Sequence, residues 1–388
     1  MKDDVIIVGA GPAGSVAATV LARAGARVRL MDRATFPRDK LCGDTVNPGT
    51  LSLFRGLGLA RFVEETGLRI DGMRVTGPGG VTIEGRYPGS LHGRAILRRD
   101  LDWALVQEAL AAGVQFESAV AVRRAIVVEA AGPKQSVTGV AIGVNGAERE
   151  LQARVTLAAD GRRSTLAFAL GLLRHPARPR RWAIGAYFEN ASGLSSLGEM
   201  HVRRGRYIGV APVPGGIANV CVVVPSRAGD AALRDPASLL RTELARDPLL
   251  CDRFADARLI QPPVVLGPLA VDVVAGTFDG LLLAGDAAGF IDPITGDGLR
   301  FAVRGGMLAA EAALEALDRG WDGVHDRLAA ARHREFAAKW RFNRALRLVI
   351  AQPMAVHAAA FASHLAPGIL RRIIAIAGDC DVAINRVA

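Results

Sequence analysis

Six residues near the start of the chain, Gly9-Ala10-Gly11-Pro12-Ala13-Gly14, have the spacing of a turn that holds a pyrophosphate. Gly9 permits the tight turn, Gly11 lets backbone approach the phosphates, and Gly14 lets helix and strand pack closely. Pro12 and Ala13 open a helix whose free N–H groups and partial positive charge favour an anion. Asp32, with Arg33 beside it, follows at the end of the next strand. Its carboxylate can accept hydrogen bonds from a ribose 2′-hydroxyl and disfavours a 2′-phosphate there. These residues predict a site for the ADP half of a dinucleotide, with FAD and NAD both open.

The elements around the turn support that chemistry. Val5-Ile6-Ile7-Val8 is a β-branched run of the kind buried on both faces, Ser15 to Ala24 has helical apolar spacing, and Val28 to Met31 is a second strand. Leu151 to Ala159 is another strand, ending in Ala159-Asp160-Gly161-Arg162-Arg163-Ser164. Gly280 to Ala284 is strictly apolar and runs into Gly285-Asp286-Ala287-Ala288-Gly289, then Asp292-Pro293-Ile294-Thr295-Gly296-Asp297-Gly298-Leu299. A helix over Leu101 to Ala112 is preceded by Arg98-Arg99-Asp100.

This combination resembles the flavoprotein monooxygenase superfamily with a single dinucleotide fold, over about half of the chain. The resemblance implies FAD. It implies that Asp286 meets the ribityl and pyrophosphate region, and that Asp160 touches the cofactor path. Gly298 and Leu299 would open a helix facing the flavin pyrimidine ring, where a helix N-terminus stabilises the charge of reduced flavin. Arg98 would contact FAD, with Arg99 as the competing arginine, and Val120 or Val122 would offer backbone to the adenine. No second glycine fingerprint is present, so a nicotinamide donor, NAD(P)H, is expected to bind transiently.

The loop Phe36-Pro37-Arg38-Asp39-Lys40-Leu41-Cys42-Gly43-Asp44 narrows the resemblance to the geranylgeranyl reductase-like and halogenase-like branch. There it lies along flavin and substrate, which places Cys42, Gly43 and Asp44 at the cofactor. Cys42 is also a catalytic candidate, with Arg38 or Lys40 available to lower its pKa and simple packing as the alternative. The reductases carry an aromatic Y-x-W-x-F-P element along their prenyl channel. The matching stretch here is Tyr207-Ile208-Gly209-Val210-Ala211-Pro212, so two large rings are replaced by Gly209 and Ala211. Tyr207, Gly209, Ala211 and Pro293 are the expected substrate-pocket residues. The lysine required for halogenation has no counterpart in the expected region.

Composition sets outer limits. The 388 residues are 50% hydrophobic and 22% charged, with a formal charge of +10, which describes a globular chain. The basic residues are spread without a cluster, so no nucleic-acid partner is expected. Cys42, Cys221, Cys251 and Cys380 form no paired motif, which fits a reduced cytoplasmic compartment. No stretch has the apolar length of a membrane-spanning helix, leaving at most peripheral contact with a membrane.

The pattern predicts a mixed α/β fold, with a Rossmann-like FAD domain of the glutathione-reductase or hydroxylase type. An antiparallel β-sheet substrate domain is inserted, and the C-terminus is helical. Residues 1–68, 93–173 and 268–325 are assigned to the FAD domain, 69–92 and 174–267 to the substrate domain, and 326–388 to the helical region. Val114 to Val128 is taken as one strand. His201 is expected at the surface, while Glu199, Tyr187 and Tyr207 are weak acid–base candidates. The apolar C-terminal helices suit a lid or an interfacial helix as well as a capping subdomain or dimer contact.

The expected activity is oxidoreduction of a hydrophobic organic molecule. Hydroxylation of an aromatic or polyketide-type compound leads, because the prenyl-channel rings are lost. Reduction of carbon–carbon double bonds is the alternative, and a non-catalytic flavin-binding protein a distant third.

Overall fold

The computed structural model describes residues 3–129, 135–144, 147–177, 181–225, 230–274, 276–290, 296–351 and 367–381. The chain opens with β1 (Asp3–Val8), α1 (Pro12–Arg23), β2 (Val28–Met31), β3 (Thr45–Val46), α2 (Pro48–Leu57) and α3 (Arg61–Thr66). Then come β4 (Leu68–Ile70), β5 (Gly72–Thr76), β6 (Thr82–Arg86), β7 (Gly93–Ala95), α4 (Arg98–Ala111), β8 (Gln115–Glu117), β9 (Ala121–Glu129), β10 (Gln135–Val144) and β11 (Ala147–Ala158). After α5 (Thr165–Ala169) and β12 (Leu173–Arg174) follow β13 (Arg181–Glu189), β14 (Leu197–Arg203), β15 (Arg206–Val213) and β16 (Ile217–Pro225). Next are α6 (Ala231–Arg234), α7 (Pro236–Arg246), β17 (Arg258–Leu259), β18 (Val264–Leu266), β19 (Asp272–Val273) and β20 (Leu281–Leu283). Helices α8 (Gly298–Arg319), α9 (Val324–Ala351) and α10 (Pro367–Ala377) complete the described chain.

One sheet runs β8-β2-β1-β11-β10-β9, with β20 also on β11. Its parallel heart is apolar on both faces, since Val5, Ile6, Ile7, Leu30 and Leu157 are all fully buried. The long β11 serves two partners. Its start pairs antiparallel with β10, and Thr156 to Ala158 pair parallel with β20. Helices α1, α4 and α8 cover one face through Ala17, Leu21, Val106, Ala109, Leu308 and Ala312. Contact between α1 and α8 is close because a Cβ at Gly306 would sit 2.4 Å from the Ala13 carbonyl oxygen.

The second sheet runs β17-β13-β16-β15-β14-β5-β6. It is mixed rather than antiparallel, because β5 and β14 pair in parallel. Those two strands come from distant segments, so no hairpin dictates their relative direction. Its outer face packs Ile184, Ile208, Val210, Val220 and Val222 against Leu240 and Leu244 of α7. A small sheet, β3-β7-β4, lies at the crossings between the two large ones.

The expected strand over Val114 to Val128 is two strands. The chain breaks at Ala119, where φ is 59°, and enters β9 on the opposite edge of the sheet. Backbone bonds from Ala119 N–H to the Ala34 carbonyl (3.0 Å) and Val120 N–H to the Asp32 carbonyl (2.9 Å) hold that turn. No helix among the described residues is long and apolar enough to cross a membrane.

Candidate cofactor and substrate site

At the glycine turn, the Gly9 N–H donates to the Met31 carbonyl at 2.7 Å, and Gly9 has φ +100°. Added to Gly9, a Cβ would meet the Ala159 carbonyl oxygen at 2.5 Å. At Gly14 it would lie 1.9 Å from the Gly9 carbonyl oxygen. These two glycines bring β1, α1 and the end of β11 together. Gly11 differs, since its open side meets nothing nearer than the Arg38 guanidinium at 3.7 Å. Among the described residues, a Cβ at Gly298 would meet nothing within 4 Å, and one at Gly161 only the Lys40 ammonium at 4.0 Å. Three backbone segments thus present bare edges to one cleft.

Asp32 shapes the first of these. Its carboxylate accepts from the N–H groups of Ala10 and Ala34, both at 2.9 Å, which ties the strand end to the turn. Arg33 is exposed beside it. Val120 sits at this corner through its bond to Asp32, whereas Val122 is two residues further on, paired with Ile142 in the β9–β10 ladder.

The cleft is strongly charged. Arg98 is buried and grips Asp102 with two bonds of 2.8 and 3.0 Å, while Arg99 is exposed. Arg38 reaches the same carboxylate at 3.1 Å, and Cys42 is a further side-chain partner of Arg98. Lys40 keeps contact with solvent, yet protein crowds it. That crowding, with the Arg98 and Arg38 charges beside it, lowers its pKa. Arg162 is lowered by burial, and its Nε has no hydrogen-bond partner among the described residues. Asp286 lies on the 3-10 turn after β20. Burial raises its pKa, and Lys40, Arg162 and Arg98 oppose that shift. Four cations (Arg38, Lys40, Arg98, Arg162) therefore gather around Asp102 and Asp286, with Asp32 3.8 Å from Arg38 and Asp44 on the Arg98 N–H. The concentrated guanidinium and ammonium donors, with open backbone edges, suit a dianionic pyrophosphate.

Asp160 stands at the rim. Its carboxylate accepts from the Thr165 N–H at 2.8 Å, and burial raises its pKa against the bonds from Ser164 and Thr165.

The Cys42 loop joins the cleft to the second sheet. Asp44, at φ 51°, accepts from the Tyr187 hydroxyl (2.6 Å), Asn219 Nδ2 (2.5 Å) and the Arg98 N–H (3.2 Å). Asn219 also donates to the Cys42 carbonyl at 2.6 Å. The Asp44 carboxylate is therefore turned to protein partners, leaving the backbone of Cys42 and Gly43 toward the cleft. Burial pushes its pKa up to about 6, against the bonds from Tyr187 and Asn219. Cys42 itself is half-buried.

Across from this loop, register aligns Gly185, Cys221 and Gly209 in one row of the sheet, and Tyr187, Asn219 and Ala211 in the next. Gly209 is open, since a Cβ there would find only two carbonyl oxygens at 3.9 Å. Gly185 is covered by Leu41, which a Cβ would meet at 2.5 Å. Tyr207 is buried with Ala183, Val223 and Leu269. Pro293 lies outside the described residues.

His201 is buried, not at the surface. Its ring bonds Thr76 Oγ1 at 2.9 Å and Glu199 at 3.0 Å, on the outer face of the sheet. Alternation along β14 sends both residues away from the row containing Met200 and Gly209. Glu199 is also held by Arg253 at 2.7 Å. Bonds from His201 and Arg253 outweigh burial and bring its pKa down to about 2. Sequence reasoning missed Arg162, Asn219 and Gly185 as site residues. Arg162 lies two residues after Asp160 in the same turn, while Asn219 and Gly185 carry no signal until register sets them beside Ala211 and Cys221.

The model of the FAD binding domain family matches residues 2–342. The chain belongs to that family. Menaquinone reductase of Mycobacterium tuberculosis (strain ATCC 25618 / H37Rv) is 33% identical over 325 residues, 79% of this chain and 76% of that protein. Digeranylgeranylglycerophospholipid reductase 2 of Methanopyrus kandleri is 30% identical, covering 82% of this chain and 78% of its own length. The solved flavin-dependent brominase Bmp2 has 20% identity and a TM-score of 0.83, over 98% of this chain and 94% of that one. A flavoprotein/dehydrogenase from Cytophaga hutchinsonii has 21% identity and a TM-score of 0.81, over 97% and 92%. These two solved structures share the fold.

This FAD-dependent oxidoreductase thus belongs with the geranylgeranyl reductase-like relatives that its Cys42 loop resembles. In its cleft, Gly11 to Gly14 and Arg98 would hold the pyrophosphate, Asp32 the adenosine ribose, and Asp286 the ribityl side. The Gly298–Leu299 helix start would face the pyrimidine edge. Bound there, the flavin supplies hydride or single-electron transfer, while the chain's residues bind, orient and exclude water.

Proposed function

We propose that this protein reduces a carbon–carbon double bond in an isoprenoid-bearing lipid or quinone. The observation that carries this reading is the inner wall of the second sheet. Above Gly209 it is open and apolar, bordered by Cys221, Met200, Ala211 and Tyr207. An elongated apolar chain gains by burying its surface there, at about 25 cal/mol per Å². Hydroxylation of a phenol profits from a base that polarises the ring. The histidine–glutamate pair of this sheet, His201 and Glu199, is turned to the outer face. The curated relatives named above are both reductases, which supports the same direction.

Reducing equivalents come from NAD(P)H, bound transiently. Delivery of a lipid substrate requires contact with a membrane surface. Helix α10 exposes Arg371, Arg372 and Ile373, a mix of basic and apolar residues suited to an interface.

The test is anaerobic. FAD-loaded protein is reduced, then mixed with menaquinone, geranylgeranyl lipids or a panel of phenols. Flavin reoxidation with a two-hydrogen mass gain in a prenyl chain supports the reading. Oxygen uptake driven by a phenol, without prenyl reduction, overturns it.

A further inference from the structure

Lys339 is one of four lysines in the chain, and it is buried where α8, α9 and α10 meet. Its ammonium lies 3.0 Å from Asp297 Oδ1 and 3.3 Å from Asp379 Oδ1. It also donates to the Ile376 and Ala377 carbonyls at 2.5 and 3.0 Å, closing the C-terminal end of α10. Asn343 Nδ2 donates to Asp297 at 3.1 Å.

Asp297 directly precedes Gly298, the first residue of α8 and the start that would face the pyrimidine edge of the flavin. Asp379 makes a second tether. It accepts from Asn47 Nδ2 at 3.0 Å, and Asn47 caps α2 through the Thr50 N–H. The Gly49 N–H donates to the Gly378 carbonyl at 3.0 Å, and a Cβ at Gly49 would lie 2.4 Å from the Asp379 Cβ. This segment begins three residues after Asp44. A third contact reaches the substrate sheet, where Ile374 packs directly over Gly85 of β6. The end of α10 is thus pinned to both protein edges of the cofactor cleft and to the sheet.

Around Lys339 opposite charges interlock. Arg300 binds Glu335 at 2.6 Å and lies 3.7 Å from Asp379, and Arg304 binds Glu335 at 3.1 Å. Lys339, Arg300 and Arg304 face Asp297, Asp379 and Glu335, with the more exposed Glu311 also on Arg304 at 3.2 Å. Removing Lys339 or Asp379 changes the net charge beside the N-terminus of α8 by one, where burial limits screening by salt.

We propose that Lys339 and Asp379 are positioning residues for the cofactor: their opposed charges set how strongly the start of α8 favours reduced over oxidised flavin, and so couple docking of α10 to redox state. This goes beyond the reductase reading and rests on FAD binding alone, whatever the substrate proves to be.

The experiment compares FAD-loaded wild-type protein with Lys339→Met, Asp379→Asn and the double variant. Midpoint potentials are measured against reference dyes, and FAD affinity by fluorescence. Lys339→Met uncovers carboxylates and should lower the preference for reduced flavin roughly tenfold, a drop of about 30 mV for a two-electron couple. Asp379→Asn leaves the ammonium in excess and should shift the potential upward by a similar amount. The double variant should return near the wild-type value. A purely structural role would move both single variants in one direction or neither, and either result overturns the proposal. If Lys339→Met fails to hold FAD, Asp379→Asn decides alone, and no upward shift overturns the idea.

Discussion

The two halves of the site are built from opposite materials. In the cofactor cleft, Arg38, Lys40, Arg98 and Arg162 crowd around Asp102 and Asp286, and backbone carbonyls come within a missing Cβ of each other at Gly9 and Gly14. Across from it, the sheet wall offers small residues, Gly209, Ala211 and Cys221, with open space over Gly209. A cofactor of fixed shape and charge rewards fixed partners in fixed places. An apolar substrate is held by area and excluded water, so its site is set by what is absent. Mutations should therefore act differently on the two sides. In the cleft they should abolish binding, and on the wall they should change which molecule fits.

The largest effect should come from Gly14→Ala. Its new Cβ would sit 1.9 Å from the Gly9 carbonyl oxygen, a backbone atom that cannot rotate away. Either α1 or the turn must move, and the N–H groups aimed at the pyrophosphate move with it. Purified variant is expected to lack FAD absorbance and to melt well below wild type. Stoichiometric FAD in Gly14→Ala would show that the cleft is less rigidly determined than the wall.

The cleft was the legible half for the same physical reason. Gly9, Gly14, Asp32 and Arg98 are needed by local geometry within one or two elements, so their spacing along the chain carries the information. The buried Arg98–Asp102 pair is one helical turn apart, and its exposed neighbour Arg99 was separable only once α4 was placed. The wall depends on register between β13, β15 and β16, which no local pattern states. Asn219 therefore carries no local signal, and His201, expected at the surface, is buried with Thr76, from a hairpin 125 residues away. The parallel pairing of β5 with β14 was hidden for the same reason, since it joins segments with no turn between them.

Asp44 is the joint between the halves, and pH tests it. Its folded pKa is raised from 3.8 to about 6, so the folded protein binds more protons than the unfolded chain between those values. Stability should therefore fall as pH rises through that window, by on the order of 2–3 kcal/mol for this group. Groups whose pKa is lowered to about 2, such as Asp4 and Glu199, contribute the opposite slope at lower pH. Comparison with Asp44→Asn isolates the one residue. Urea midpoints of the variant should lose the wild-type decline between about pH 4 and 6. An identical slope in both proteins would mean that the loop and the sheet are not joined through a strained carboxylate.

The smallest expected effect lies on the wall. Gly209→Trp places a ring in the open space beside Met200, Cys221 and Ala211, whose side of the sheet is already apolar. The backbone there is an ordinary strand, and the nearest atoms to a new Cβ are at 3.9 Å, so folding should be little disturbed. FAD content should be unchanged, because Gly209 lies on β15, whereas the residues that would hold the cofactor belong to the glycine turn, α4, the turn after β20 and the start of α8. Turnover should divide by substrate shape. A single slender prenyl chain should keep most of its rate, while a substrate with a ring or two chains at the reacting end should slow roughly tenfold, about 1.4 kcal/mol in the barrier. Competition between the two substrates in one reaction gives that ratio directly. Equal slowing of both would place the reacting chain over Gly209 itself, and loss of FAD would erase the distinction between cleft and wall.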